Sequence, residues 1–114
     1  MSFNPFSGIV IWGKKLGRTI GFPTANIALT PGILEDGVYT FDIDIAWASY
    51  HGVGTYRETL ELCEVHIFDF DGDIYGQEIL ITPTHKIRDN QKFASFDLLK
   101  EQIKKDVKIA REMT

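Results

Sequence analysis

Residues 37–47 read GVYTFDIDIAW, and their alternation indicates the fold class. From position 39 onward, every second residue is aromatic or β-branched and apolar, and Thr40, Asp42 and Asp44 stand between them. A period of two over this length is typical of a strand that buries one of its faces. We therefore predict a half-buried β-strand here, with the three polar side chains on its solvent face.

Shorter strand-like runs lie on both sides of this stretch. Extended segments are predicted at residues 8–12, 26–29, 50–56, 60–70 and 79–81. Two glycines interrupt the run at 50–56, and Gly52 and Gly54 indicate a bulge, a barrel corner or the close approach of another backbone. The chain is thus dominated by short strands.

The C-terminal segment has a different period and predicts an amphipathic helix over about residues 95–112. Apolar side chains recur at 96, 99, 103, 107 and 110, which is the spacing of one helix face. Ser95 is placed to cap the N-terminus, and the charged residues, including Asp106, are assigned to the solvated face. Strands followed by one helix indicate a small Greek-key barrel or sandwich with a helix packed on it.

Composition limits the classes of function. The 114 residues are 44% hydrophobic and carry a net charge of −4, so we expect one domain over 1–114 and no nucleic-acid partner. No apolar run is long enough to span a bilayer and the start lacks a signal-peptide pattern, so no membrane association is expected. The single cysteine, Cys63, cannot form an internal disulfide. These features predict a cytoplasmic protein.

Residues 17–26 read GRTIGFPTAN and carry the parts of a polyphosphate site. The stretch lacks the lysine–serine/threonine ending of a P-loop and the spacing of a dinucleotide-binding glycine motif. Its glycines nevertheless allow backbone N–H groups to approach phosphate oxygens, and Lys15 and Arg18 add positive charge. Thr24 and Asn26 lie on one side if the segment is extended, where their oxygens suit Mg²⁺ shared with phosphates. A surface turn rich in glycine and proline is the alternative interpretation.

Residues 17–27 also resemble the glycine-rich flap and PTAN motif of the riboflavin kinases. Further blocks resemble that family in the same order, namely GVY at 37–39, EVHIFDF at 64–70, DIYG at 73–76, IR at 87–88 and KF at 92–93. The similarity covers nearly the whole chain. It implies a mainly β fold, a small closed six-stranded antiparallel Greek-key barrel with a C-terminal α-helix packed on it. It also implies transfer of the ATP γ-phosphate to the 5′-hydroxyl of riboflavin, which gives FMN.

The same resemblance implies the site residues. Thr24 and Asn26 would bind Mg²⁺ and the nucleotide phosphates, Glu64 would be the general base for the hydroxyl, and Arg88 would lie near the flavin. The flap over the nucleotide would include Gly13, Lys15, Gly17 and Arg18. The implied partners are the small molecules ATP and riboflavin, and an adenylyltransferase domain is not expected in these 114 residues. The oligomeric state does not follow from the sequence.

Glu64 is also a candidate on the pattern of its own strand. Cys63 and Val65 share the apolar face of the run, and Glu64 lies on the other face with Leu62 and His66. A carboxylate among such neighbours is partly removed from water, which suits a group that accepts a proton from a hydroxyl. A solvent-facing strand glutamate is the alternative. Cys63 is interpreted as a core residue and His66 as a packed histidine.

Two segments depart from the family pattern on the flavin side. Residues 54–59 stand in place of a longer family segment that contains a PTF motif, and Asn90 occupies the usual glutamate position before the KF pair. Two alternatives to a riboflavin kinase therefore stay open. One is a non-catalytic flavin- or nucleotide-binding or regulatory descendant, and the other is a kinase with a different acceptor.

Overall fold

The computed structural model describes residues 3–11, 24–28, 34–46, 48–70 and 72–114. These residues form a closed barrel with the strand order β1-β2-β5-β4-β3-β6 and one α-helix after it. The elements are β1 Phe6–Ile11, β2 Ala25–Ala28, β3 Gly37–Ile45, β4 Ala48–Arg57, β5 Leu62–Ile67, β6 Glu78–Arg88 and α1 Phe96–Glu112. All pairings are antiparallel. Strands β3, β4 and β5 follow one another as neighbours and β2 lies beside β5, which is the Greek-key arrangement.

The barrel interior is filled by the apolar positions of the alternating strands. Phe41, Ile43 and Ile81 are completely buried, as is Cys63, so the core role predicted for that cysteine is confirmed. Burial raises the pKa of the Cys63 thiol, with a smaller contribution from the neighbouring Glu64 carboxylate. The thiol is therefore an uncharged packing group.

Of the three alternatives predicted for the two glycines of β4, the close approach of another backbone is the one observed. A Cβ atom on Gly52 would lie 2.5 Å from the carbonyl oxygen of His66, and one on Gly54 would lie 2.3 Å from that of Glu64. Both distances are shorter than any side chain tolerates, so only glycine lets β4 and β5 come this close. The position of β5, which carries Glu64, depends on this contact.

Helix α1 begins where it was predicted and covers part of the outer barrel wall. The Ser95 hydroxyl accepts a hydrogen bond from the Leu98 N–H at 3.2 Å, which caps the helix. An outer cluster, formed by Val38, Val53, Phe68, Val107 and Ala110, joins the helix to the strands. Among the described residues, no helix is long and apolar enough to cross a membrane.

The helix also explains why one prediction for β3 was wrong. Thr40 was assigned to a solvent face, but it is completely buried. Its neighbours on the outer wall are Val38 on the same strand and Val53 directly opposite on β4, and both belong to the outer cluster under α1. Thr40 satisfies its hydroxyl by a hydrogen bond with the Thr84 hydroxyl.

The strand predicted at residues 60–70 is shorter than expected. Residues Glu58–Leu60 form a single 3₁₀ turn, and β5 spans only Leu62–Ile67. Glu61 and Asp69 adopt left-handed backbone conformations, with φ of 50° and 57°, and lie just outside its two ends. A left-handed residue turns the chain away from the sheet and ends the pairing. As a result, Arg57 and Leu62 are paired directly and a tight hairpin joins β4 to β5.

Candidate functional site

A cavity of about 330 Å³ lies outside the barrel, between the strand wall, helix α1 and the connection that follows β6. Three of the predicted site residues that the structure describes, Thr24, Glu64 and Arg88, line it together. Its apolar lining includes Leu62 on β5 and Phe93 in the connection. The cavity therefore brings charged and hydroxyl groups next to an apolar compartment.

Sheet register places Glu64 in a row of side chains that crosses the outer wall. Glu64 pairs with Asn26 on β2 and with Thr55 on β4, and Thr55 pairs with Val38, which pairs with Arg88 on β6. Directly opposite residues point to the same face of a sheet. The row is fixed by backbone hydrogen bonds alone, and it brings the predicted base and the predicted flavin-side arginine onto one surface.

Thr24 holds the Glu64 carboxylate in place. Its hydroxyl donates a hydrogen bond to Oε1 of Glu64 at 2.9 Å. Asn26 is 7% exposed and stands directly opposite Glu64, so Thr24 and Asn26 lie on the same side of the β2 segment. The placement on one side that was predicted for this pair is observed.

These three side chains form an oxygen-rich corner of the kind that suits Mg²⁺. A hydroxyl, an amide and a carboxylate supply the hard oxygen ligands that this ion prefers, and Mg²⁺ bound with ATP needs few protein ligands because phosphates and water complete its shell. No cluster of three or more His, Cys, Asp or Glu side chains that could hold a metal occurs in the described ranges. The hydroxyl, amide and carboxylate present here fit a magnesium ion that is shared with a nucleotide.

Arg88 lies at the other end of the row and is held by helix α1. Its Nε and Nη2 atoms donate to the two carboxylate oxygens of Asp106 at 3.0 and 2.7 Å. Its Nη1 atom donates to the carbonyl oxygen of Asp89 at 3.0 Å, and the guanidinium lies 5.9 Å from the centre of the Phe93 ring. The guanidinium is consequently fixed in one plane at the cavity wall.

Asp106 was assigned to the solvated helix face, and that prediction was wrong. The side chain is 4% exposed and also accepts a hydrogen bond from Nε2 of Gln102 at 3.1 Å. The spacing of the apolar stripe could have revealed this, because position 106 follows Ile103 by three residues and precedes Ala110 by four. Charge alone led to the wrong face.

The connection between β6 and α1 is attached to the barrel by polar contacts. Nδ2 of Asn90 donates to the carbonyl oxygen of Tyr56 at 3.0 Å, and the side chain lines the cavity. The Asp89 carboxylate pairs with Lys86 at 2.7 Å, and the hydrogen bond from this ammonium group lowers the pKa of Asp89. These contacts hold the connection between β6 and α1, which forms one wall of the cavity.

The shortened segment before β5 forms the rim of the same cavity. Arg57 and Leu60 line it from the β4–β5 hairpin, and the Leu60 side chain is 60% exposed. The backbone N–H of Glu58 donates to Asp36 at 2.8 Å, which ties the hairpin to the start of β3. The sequence departure on the predicted flavin side therefore produces a compact turn with an apolar tip at the rim.

Two groups of residues from the sequence analysis remain, namely the predicted flap and His66. The four flap residues, Gly13, Lys15, Gly17 and Arg18, lie outside the described residues. His66 is half-buried, packs edge-on against Phe68 with ring centres 5.6 Å apart, and contributes to the cavity lining. Its predicted role as a packed histidine agrees with this position.

Comparison with known proteins agrees with the architecture. The family model of the riboflavin kinases, described as "Flavokinase: Riboflavin kinase", matches residues 4–114. This chain belongs to the riboflavin kinase family. The match includes every strand of the barrel, the helix and all four described site residues, so the fold implied by the family resemblance is confirmed.

Two individual proteins are similar to nearly the whole of this chain. A bifunctional riboflavin kinase/FMN adenylyltransferase of Haemophilus influenzae is 46% identical over 112 residues, which cover 91% of this chain and 36% of that protein. The crystal structure of a Streptococcus pneumoniae protein named as a macrolide-efflux protein superposes with a TM-score of 0.82 at 37% identity, covering 94% of this chain and 38% of the other.

A riboflavin kinase of Trypanosoma brucei is also similar in structure. It superposes with a TM-score of 0.64 at 26% identity, covering 99% of this chain and 82% of its own. By contrast, the chain spans little more than a third of the length of the Haemophilus relative. The similarity therefore concerns the kinase module, and what the rest of such relatives does is not carried over to these 114 residues.

Proposed function

We propose that this chain transfers the γ-phosphate of ATP to the 5′-hydroxyl of riboflavin and so forms FMN, with Glu64 as the general base. The observation that carries the proposal is the position of Glu64. The carboxylate is held by Thr24 on the wall of a cavity that also contains Arg88 and an apolar compartment. Membership of the riboflavin kinase family supports the choice of this reaction.

In this mechanism the acceptor lies in the cavity with its hydroxyl directed to the strand wall. The planar flavin packs against the apolar lining, which includes Leu62 and Phe93, and the ribityl chain extends toward Glu64. Glu64 accepts the hydroxyl proton as the oxygen forms its bond to the γ-phosphorus. The bond from that phosphorus to the bridging oxygen breaks, and ADP leaves. Thr24 keeps the accepting carboxylate oriented while the proton moves.

The nucleotide binds on the β2 side of Glu64 in this proposal. Thr24 and Asn26 are the residues that would hold Mg²⁺ together with the ATP phosphates, because they present hard oxygen atoms next to the base. When bound, Mg²⁺ neutralises phosphate charge during transfer. Gly13, Lys15, Gly17 and Arg18 would cover the nucleotide, with the two basic side chains adding positive charge.

The test is an assay of the purified protein with riboflavin, ATP and Mg²⁺, in which FMN is measured by chromatography. The Glu64→Gln variant is assayed beside it. We expect FMN from the wild type and almost none from the variant. Flavin or nucleotide binding with no product would instead favour the non-catalytic descendant. Phosphorylation of another alcohol, with riboflavin left unchanged, would favour a kinase with a different acceptor.

We further propose that residues 1–114 act as one domain and that the reaction takes place in the cytoplasm. A single buried cysteine with no possible internal partner suits a reducing compartment. Cell fractionation with an antibody to the protein tests the location. Recovery with a membrane or an exported fraction would contradict it.

A further inference from the structure

Asp106 is a buried carboxylate at the centre of the contact between helix α1 and the barrel. It accepts three hydrogen bonds, two from Arg88 and one from Gln102. Its neighbour on the helix, Val107, belongs to the apolar outer cluster, as does Val38, which lies beside Arg88 on the strand wall. The Arg88–Asp106 ion pair thus lies among apolar side chains, in a position where an apolar pair could also pack.

A buried ion pair contributes little net free energy to holding a helix against a barrel. Removing both ions from water costs about as much free energy as their attraction returns, and apolar side chains of similar volume often stabilise such a site equally well or better. The helix already buries Val107 and Ala110 against Val38 and Val53. The docking of α1 therefore has an apolar basis, and the ion pair calls for another explanation.

The geometry of Arg88 supplies that explanation. Its guanidinium has five N–H donors, and three hydrogen bonds, to Asp106 and to the Asp89 carbonyl, are seen. The Arg88 side chain lines the cavity beside Phe93. Its bidentate hydrogen bonds to Asp106 therefore set the direction in which the remaining guanidinium N–H donors point toward a bound molecule. An arginine without these hydrogen bonds would sample many rotamers.

We propose that Asp106 is a positioning residue for the acceptor substrate, which it serves by fixing the plane of the Arg88 guanidinium at the flavin end of the cavity. This rests on the proposed function, because it takes the occupant of the cavity to be the acceptor. Arg88 and Asn26 stand at opposite ends of the cross-strand row. Loss of the hydrogen bonds between Asp106 and Arg88 should therefore weaken binding of the acceptor and leave binding of the nucleotide unchanged.

The double variant Arg88→Met with Asp106→Leu separates positioning from docking. It replaces the ion pair by apolar side chains of similar volume, so we expect a melting temperature near that of the wild type. The KM for riboflavin should rise about tenfold or more, as expected for the loss of hydrogen bonds from a charged group, while the KM for ATP stays unchanged. A wild-type KM for riboflavin in the folded double variant would overturn the proposal.

Asp106→Asn keeps the test decisive if the double variant does not fold. It retains the shape of the side chain and loses its charge, and Glu101→Gln, at an exposed position of the same helix, is the matched control. We expect Asp106→Asn to raise the KM for riboflavin with no change in the KM for ATP, and Glu101→Gln to change neither. A lower melting temperature with both KM values unchanged would show that the pair only docks the helix, and would overturn the proposal.

Failure of the proposed function is recognised separately. If the wild type forms no FMN, quenching of riboflavin fluorescence measures binding directly in the same variants. Tenfold weaker riboflavin binding by Asp106→Asn would support the positioning role without turnover. A wild type that neither forms FMN nor binds riboflavin would contradict both proposals.

Discussion

The two walls of the cavity are built in different ways. The strand wall, defined by Thr24, Thr55 and Glu64, is positioned by backbone pairing, because β5 is hydrogen-bonded to β2 on one side and to β4 on the other. The closing wall, defined by Asn90, Phe93 and Asp106, belongs to the connection after β6 and to helix α1. It is attached to the barrel by side-chain contacts.

This difference suggests a division of labour between the walls. A register shift of one residue would turn Glu64 into the barrel and both Cys63 and Val65 out of it, at a large cost in apolar burial, so the position of the proposed base is fixed. Side chains on the closing wall can change without disturbing any strand. We infer that the chemistry is fixed on the strand wall and that recognition of the acceptor is adjusted on the closing wall and the hairpin rim.

The largest expected effect comes from removing Glu64, the proposed base. Glu64→Gln keeps the size of the side chain and loses its ability to accept a proton, so turnover should fall about 10²- to 10⁴-fold while riboflavin binding persists. FMN formation and fluorescence quenching measure the two quantities. Glu78→Gln, an exposed glutamate on β6, is the control and should change neither. A Glu64→Gln variant with most of its turnover would remove Glu64 from the mechanism.

A substitution on β4 can displace strand β5, which carries Glu64, the proposed base. In Gly54→Ala the new Cβ would lie 2.3 Å from the Glu64 carbonyl oxygen and 2.9 Å from the Val65 Cα atom, so β5 must move. We expect a loss of about 1–3 kcal/mol in the free energy of unfolding and a lower kcat.

Gly72→Ala is the control for this strain, because its Cβ would meet only the Phe70 side chain, at 3.1 Å, and a side chain moves more easily than a paired strand. Thermal unfolding and FMN assays of the two variants should therefore differ. Equal melting temperatures and equal kcat values would show that the close approach of β4 and β5 does not position Glu64.

A smaller effect is expected from removing the Thr24 hydroxyl, which orients the proposed base Glu64. Thr24→Val removes the hydrogen bond to Oε1 of Glu64 and keeps the shape of the side chain. Hydrogen bonds to charged groups contribute about 1.5–3 kcal/mol, so kcat/KM should fall about 10- to 100-fold. Thr59→Val, at an exposed hairpin position, serves as the control. An unchanged kcat/KM in Thr24→Val would show that Glu64 is oriented by other groups.

The smallest effect is expected from a substitution that destabilises helix α1 in the closing wall, which tests whether kcat depends on the stability of that wall. Ser95→Ala removes the cap that accepts from the Leu98 N–H, which should cost about 1 kcal/mol of stability and lower the melting temperature by a few degrees. At temperatures well below unfolding, kcat should remain that of the wild type. A large drop in kcat there would show that the two walls are coupled.

Local patterns in the sequence predicted much of this arrangement. The alternation along β3, the helical spacing that ends at Ala110 and the glycines of β4 each reflect a short-range rule of backbone geometry. The same rules put Glu64 opposite the face of Cys63, and put Thr24 and Asn26 on one side. What joined these pieces into a single candidate site was the order of the family motifs, which local rules do not supply.

The errors concern residues whose surroundings are set by distant parts of the chain. Thr40 has the alternation of a surface residue and is buried because α1 lies over that part of the wall. Asp106 has the charge of a surface residue and is buried because Arg88, 18 positions earlier, is its partner. The start of β5 was predicted at residue 60 instead of Leu62, because no glycine in the sequence indicates the left-handed conformation of Glu61.

A crystal structure with riboflavin and a non-hydrolysable ATP analogue tests the division between the walls most directly. We expect the 5′-hydroxyl oxygen of riboflavin at hydrogen-bonding distance from the Glu64 carboxylate, about 2.6–3.2 Å. We also expect the flavin ring against Phe93 and within reach of Arg88. A flavin bound elsewhere on the barrel, or bound in this cavity with its hydroxyl turned away from Glu64, would contradict the assignment of chemistry to the strand wall.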